Sequence, residues 1–288
     1  VQKTVDEAIA IDKATRTDFW RKALGKKKML KVKVAWKSAD GVTPEQARTG
    51  KEPSMIGFQE IQCHVIINIK MDFTRKARFV AGGHMTDTPG LITYSSVVSC
   101  NSVRLAFLTA GLNNLDVLAG DATNAYINAS CREKIWFEGG VETGKDRGKV
   151  LIVTRALNGL KSSGAAWRAD LAATLRNVKF TSSQADPDVR IRSAGTHNDM
   201  VLIYVDHDIL ILVTKEPKVS MDELLGRLYE LEPEGIHEPD IVCLGAHMEK
   251  VQLSDGKVEW SMGSKTYAKN AIRVVQALIT EDDPEAKL

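Results

Sequence analysis

No apolar run in this chain approaches the roughly 18 consecutive residues that a membrane helix needs. Its opening stretch, "VQKTVDEAIAIDKATRTDFW", has none of the organisation of a signal peptide. Cysteine is sparse: Cys63, Cys100, Cys131 and Cys243 stand far apart, with no CxxC among them. That excludes a zinc knuckle or a disulfide framework and fits a reducing compartment. The glycines form neither GxGxxG nor GxxxxGK[ST], so a Rossmann cofactor site and a P-loop are both unsupported. There is no internal repeat and no low-complexity tract. Charge of one sign is also lacking, since the net value is only +2. The first residue is Val rather than Met, and we read the chain as a piece of a longer polyprotein.

What is present is a globular composition. The chain has 288 residues, 43% hydrophobic and 26% charged, enough for one large domain or two small ones with a real core. The basic residues are clustered, in "RKALGKKKMLKVKVAWK" (Arg21 to Lys37) and "KMDFTRKARF" (Lys70 to Phe79), while the C-terminal third is acid-rich. Such patches can bind phosphate backbones even at low net charge, although a charge run read alone is more often a solvated face.

Periodicity predicts one N-terminal helix, "VDEAIAIDKATRTDFWRKALGKKKMLK", with Thr4 and Asp6 as capping candidates. Residues 38–57 carry Gly, Pro and Ser and read as a loop. "IQCHVIINIKMD" with "RKARFVAGG" reads as a hairpin. "NSVRLAFLTAGLNNLD" reads as a helix capped at Asn101 or Ser102 and ending near Gly111. "VLAGDATNAYINA" is a short strand entering a loop, "KVLIVTRAL" a strand, and "GAAWRADLAATLRNVKF" an amphipathic helix. A second hairpin joins "MVLIYV" to "ILILV". After the helical "VSMDELLGRLYEL", a third joins "IVCLGAHMEKVQL" to "KVEWSM", and the helix "KTYAKNAIRVVQALI" follows. Hairpins with helices between strand pairs predict an α+β fold, an antiparallel sheet covered by helices.

The informative feature is the tip of the second hairpin, "MVLIYVDHDILILV" (Met200 to Val213). Two apolar runs flank Asp206, His207 and Asp208. Asp121 similarly interrupts "LDVLAGDATNAYIN". Carboxylates in such surroundings are costly unless paired or bound to a cation. Acids converging at strand ends suit Mg²⁺, which fills its shell with water and substrate phosphates. A pair of such ions serves phosphoryl or nucleotidyl transfer. Each acid taken singly also reads as a polar turn residue.

Six segments, taken in order, resemble the reverse transcriptases of copia-type retrotransposons. "RKARFVAGGH" is similar to that family's "KARLVAKGF", and "YSSVVSCNSVRLAFLTAG" to its "F.PV....S.R.LL.LA". "LDVLAGDATNAYINA" is similar to "LDVKTAFLNG", and "VTRALNGLKSSGAAW" to "L.KSLYGLKQ..R.W". "YVDHD" resembles "YVDD", and "CLGAHMEK…LSDGKVEWS" resembles "FLGIEI….LSQ". Together they cover about Thr17 to Val275.

The resemblance implies the fingers and palm of a right-hand polymerase with only the start of a thumb. A lead-in would occupy 1–55 and fingers 56–118. The palm would span 119–240, with a fingers insertion around 132–165. A primer-grip hairpin and early thumb would follow over 241–288. Asp121, Asp206 and Asp208 would be the catalytic, metal-holding acids, with two Mg²⁺ or Mn²⁺ ions, and His207 is a further candidate ligand. Lys76 and Arg78 would contact the incoming triphosphate. Gly159 and Lys161 would line the nucleotide and template pocket. Tyr126, five positions after Asp121, would be the aromatic gate against a 2′-hydroxyl, or an ordinary core aromatic. Leu244 and Gly245 would belong to the primer grip.

The partners implied are an RNA or DNA template, a primer and deoxynucleoside triphosphates, in a cytoplasmic particle or the nucleus and without a membrane. Nothing in the sequence sets the oligomeric state. His207 separates two acids that adjoin in the family, either by replacing the second or by insertion before it. Asn158 stands where the family has Tyr. Two other readings are carried forward: a degenerate polymerase fold, catalytically weak or inactive, that still binds nucleic acid, and a two-metal nuclease.

Overall fold

The apolar runs around the acidic knot form the hairpin their composition predicts. β10 (Asn198–Tyr204) and β11 (Ile209–Thr214) pair antiparallel from Met200↔Val213 to Tyr204↔Ile209. The computed structural model describes residues 4–25, 34–69, 75–87, 90, 93–122, 124–204, 209–216, 236–237, 241–243, 246–264, 268–269, 271–273 and 275–276. Two units emerge from its contacts, one drawn from Val1–Ser95 and Asn124–Ala172, the other from Ser96–Thr123 and Ala173–Leu288. Each mixes helices and sheets, so the fold is α+β. Among the described residues no helix is long and apolar enough to cross a membrane.

The first unit holds two sheets. In the smaller, β3 (Cys63–Ile69) and β4 (Arg75–Ala81) form the expected first hairpin, paired from Cys63↔Ala81 to Ile69↔Arg75. The larger has the order β1 (Trp36–Ser38), β7 (Val150–Val153), β6 (Ile135–Glu138), β2 (Gln59–Glu60). Its β2–β6 pair is parallel, which an all-hairpin reading does not anticipate. Phe79, Phe137 and Leu151 centre its core, with the Trp36 ring tilted against Phe79 at 5.4 Å and edge-on to Phe137 at 5.7 Å.

Two local expectations are corrected in this unit. The N-terminal helix is broken into Val5–Thr15 and Phe19–Gly25, with Arg16 in the left-handed region at φ 54°. The cause is Asp12, buried at 1% exposure. Its carboxylate accepts the backbone N–H groups of Trp20 (3.2 Å) and Arg21 (2.8 Å). It thereby caps the second helix and seats Trp20 beside Ala8, Ala23 and Ile67. Thr4 does cap the first helix, accepting the N–H of Glu7. The supposed loop 38–57 contains a helix, Pro44–Thr49, with a capping box between Thr43 and Gln46 and proline at its start.

In the second unit the strand order is β12 (Ile236–His237), β5 (Asp116–Asp121), β11, β10, β9 (Val189–Ser193), β8 (Thr181–Ser182). Every pair is antiparallel. Val201, Leu202, Ile203, Ile211, Leu212 and Val213 are all at most 1% exposed. Burial on both faces explains why these runs show no alternation. One face packs on the helix Cys100–Leu112 through Val103, Ala106, Phe107 and Ala110. That helix starts earlier than expected, capped by Ser99, whose hydroxyl accepts the N–H of Ser102. It ends at Leu112, just past Gly111.

The third hairpin is present as β14 (Ala246–Gln252) and β15 (Val258–Gly263), with Trp260 edge-on to Phe107 at 5.4 Å. Its first strand is not continuous from Ile241. β13 (Ile241–Cys243) folds back to pair Cys243 with Ala246. The expected helix at 219–231 lies outside the described residues. So does much of the one at 265–279, of which 268–269, 271–273 and 275–276 are helical.

Candidate active site

Asp121 is the last residue of β5, and its backbone is paired with Ile209, the first residue of β11. The β-ladder therefore joins the strand carrying the first acid to the strand that begins immediately after Asp208. Asp206, His207 and Asp208 lie outside the described residues, as do Leu244, Gly245 and the side chain of Asp121. Among the described residues no group of three or more His, Cys, Asp or Glu could hold a metal ion. The fit of a divalent cation rests on donor chemistry and register. Three carboxylates would offer hard oxygen donors, and the β5–β11 ladder sets Asp121 opposite Ile209, the residue that follows Asp208 in the sequence.

In the first unit, the end of the strand that carries Lys76 and Arg78 meets the turn that carries Gly159 and Lys161. On β4, Lys76 and Arg78 alternate with buried Phe79 and share a strand face with Val80. Arg78 is exposed and Lys76 half-buried. The same strand runs into the "NGLKSS" turn: Val80 bridges Asn158, and Ala81 donates its N–H to the Asn158 carbonyl at 2.8 Å. The turn is stitched down further. The Ser163 hydroxyl donates to the Leu157 carbonyl at 2.7 Å, and the Ser162 N–H to Glu133 at 3.0 Å. Lys161 Nζ donates to the Thr86 carbonyl at 2.6 Å, so a triphosphate would have to share this ammonium with the backbone.

Gly159 has φ +95°, and a Cβ there would stand 2.1 Å from the Ala81 carbonyl oxygen. The close approach that demands glycine is to β4 itself. Gly159→Ala should therefore cost about 2–4 kcal/mol of stability, from left-handed strain plus a backbone clash. Urea unfolding measures this, and a loss under about 0.5 kcal/mol would show that the turn can move aside.

Tyr126 lies in a short 3-10 turn, Ala125–Asn128, half-buried and in the first unit, whereas Asp121 belongs to the second. The sequence reading missed two acids, Asp186 and Asp188 of "ADPD". Asp186 accepts the Ser99 N–H (3.0 Å) and the Ser102 hydroxyl (2.6 Å), which ties it to the start of the helix Cys100–Leu112. Asp188 is fully buried and accepts the Ser96 hydroxyl at 2.5 Å. The signal was a D-P-D turn in a polar stretch, which resembles any other loop.

Burial pushes the Asp186 carboxyl up, but hydrogen bonds from Ser102, Ser99 and the Asp188 N–H outweigh it and hold the group below the ordinary aspartate value. A depressed folded value means stability that is present above the unfolded value, near 3.9, and lost as pH falls through the folded one. Asp186→Asn should melt earlier than the parent at pH 6, and the gap should narrow below about pH 4. A gap constant down to pH 2.5 would refute the assignment.

Comparison with known proteins points one way. Residues 50–225 match the family described as reverse transcriptase (RNA-dependent DNA polymerase). The chain is 31% identical over 157 residues to the transposon Ty1-NL2 Gag-Pol polyprotein of Saccharomyces cerevisiae, covering 52% of this chain and 8% of that polyprotein. It matches the Ty1-DR5 Gag-Pol polyprotein of the same yeast at 31% over 156 residues, again 52% and 8%. The chain thus spans a small part of the length of these relatives.

Proposed function

Since the chain belongs to the reverse transcriptase (RNA-dependent DNA polymerase) family, as found in copia-type retrotransposons, we propose that it carries out template-directed DNA synthesis, joining deoxynucleotides to a primer 3′-hydroxyl. The observation that carries this reading is the register of the six-stranded sheet. Asp121 ends the strand hydrogen-bonded to the one that follows the Asp206–Asp208 knot. In this reading residues 56–118 are the fingers and 119–240 the palm, with a fingers insertion around 132–165. The β13–β15 sheet, with Leu244 and Gly245 at its first connection, is the primer grip and the start of the thumb.

Asp121, Asp206 and Asp208 would hold the divalent ions, Mg²⁺ or Mn²⁺, with His207 as a further donor. When bound, a pair of such ions supplies charge stabilisation for the attacking and leaving oxygens. The chain's own residues do the rest. Arg78 and Lys76, on one face of β4, neutralise the triphosphate, and the guanidinium offers two parallel N–H donors to its oxygens. The turn at Gly159, held against β4, and Lys161 beyond it form the floor on which base and sugar rest. Tyr126 lies under the sugar, where it crowds a 2′-hydroxyl and favours deoxynucleotides. The primer 3′-hydroxyl oxygen attacks the α-phosphorus, the bond from that phosphorus to the bridging oxygen breaks, the hydroxyl proton passes to solvent and pyrophosphate leaves.

Template and primer are gripped through phosphate and sugar, so binding is sequence-independent and weakens with salt. The setting is an element's particle in the cytoplasm, or the nucleus. Extension of a DNA primer on an RNA template, with Mg²⁺ and then with Mn²⁺, tests the proposal. Template-independent cleavage in the absence of triphosphates would replace it with a nuclease reading. Binding without extension under both ions would replace it with a non-catalytic one.

A further inference from the structure

β10 ends two residues before Asp206, and the ladder with β9 stops at Leu202↔Val189. Beyond that point Ile203 is held from both sides. It donates its N–H to the carbonyl of Asp188 at 2.9 Å, and its own carbonyl accepts the N–H of Val98 at 3.1 Å. The two groups that hold it are themselves joined. The Asp188 carboxylate accepts the Ser96 hydroxyl at 2.5 Å, two residues before Val98. Asp186 fixes Asp188 from below, accepting its N–H at 3.0 Å, and is anchored on the helix start by Ser99 and Ser102. The result is a ring of hydrogen bonds from Ser96 through Asp188 to Ile203 and back through Val98. All of its members lie in the second unit.

Burying a carboxylate at 0% exposure carries a desolvation penalty that its partners must offset. The arrangement fixes something narrow, the level at which β10 stops. From Ile203 the chain has two residues, Tyr204 and Val205, in which to reach Asp206, so an error at Ile203 is passed on with little slack. A misplacement of about 1 Å at reacting groups costs on the order of a hundredfold in rate.

We propose that Asp188, acting with Ser96, is a positioning residue for nucleotidyl transfer: it touches no substrate and sets where β10 delivers the segment carrying Asp206. The proposal rests on the reverse transcriptase reading for its consequence, and on the hydrogen-bond ring for its geometry. A purely structural Asp188 would lower stability everywhere and leave the turnover of the surviving folded fraction intact.

Three variants separate these roles. Asp188→Ala and Ser96→Ala should each lower kcat for primer extension about tenfold, with the KM for deoxynucleotides and the affinity for template–primer within about twofold of the parent. Asp188→Asn, whose amide oxygen still accepts the Ser96 hydroxyl, should return to within about threefold of the parent. The double variant Ser96→Ala/Asp188→Ala should be no worse than Asp188→Ala alone, because both remove one link.

Hydrogen exchange supplies a readout that needs no activity. Peptides covering 200–206 should exchange about tenfold faster in Asp188→Ala and in Ser96→Ala, with the helix Ser163–Asn177 unchanged. Unaltered exchange at 200–206 in Ser96→Ala, the mildest change, overturns the proposal even if Asp188→Ala fails to fold. So does faster exchange over the whole chain with no rescue by Asp188→Asn. A parent that extends no primer defeats the polymerase reading alone, and the exchange experiment still decides the geometry.

Discussion

Asp121→Asn should slow primer extension by about a thousandfold, the scale of losing one charge-stabilising group aimed at a transition state. The substitution is isosteric, so backbone pairing to Ile209 should persist, and the melting temperature should stay within a few degrees of the parent. The same strand supplies its own control. Asp116, at the other end of β5, pairs with Lys250 in a half-exposed ion pair. Such pairs contribute about 0–1 kcal/mol, so Asp116→Asn should leave extension within about twofold of the parent. The comparison is made by single-turnover extension, in whichever of the parent and the His207→Asp variant turns over faster. If Asp121→Asn retains more than a tenth of the rate, the strand end is not the catalytic centre. If Asp116→Asn loses as much as Asp121→Asn, the effect belongs to the sheet and not to the site.

The acids could be found in the sequence because they interrupt long apolar runs, and those runs exist because β10 and β11 are buried on both faces. The same physics hid β6. Ile135, Trp136 and Phe137 are each about 1% exposed, but the run is too short to tell from a buried piece of helix. The two-residue strands β2 and β8 are below any periodicity. The break after Thr15 was hidden for another reason. Helical spacing continues through it, and what ends the first helix is a tertiary act, the Asp12 carboxylate reaching the N–H groups of Trp20 and Arg21. Gly159 gave no sign in the sequence of its packing partner: the atom that a Cβ there would meet is the carbonyl oxygen of Ala81, nearly eighty residues earlier. Asp186 and Asp188 look like ordinary turn formers until Ser96, Ser99 and Ser102, more than eighty residues earlier, are folded beside them.

The other large effect is expected at His207, which by the resemblance to copia-type reverse transcriptases separates two acids that adjoin in that family. The described register constrains what can be repaired. Tyr204 pairs with Ile209, so four residues, 205–208, connect the strands. Neither strand is free to slip. β11 is locked to β5 over six pairs, and β10 is locked to β9 over five and pinned again at Ile203. A one-residue shift would turn every buried side chain to the opposite face. Deleting His207 leaves three residues to span a gap that now takes four, and the deficit must be absorbed in the turn as altered geometry or a bulge. His207→Asp keeps the count of four and restores a carboxylate beside Asp206. It is therefore the variant expected to gain, by about a thousandfold over the parent with Mg²⁺. The deletion should gain little and should lower the melting temperature. The reverse ranking, with the deletion faster, would mean that histidine was inserted and that Asp208 is the displaced acid. A parent that already extends primers as fast as His207→Asp would mean that the knot is complete as it stands. Imidazole favours Mn²⁺ over Mg²⁺ relative to an all-oxygen site. The parent's ratio of Mn²⁺-supported to Mg²⁺-supported rate should then exceed that of His207→Asp if the histidine is a working ligand, and should match it if the histidine is a bystander.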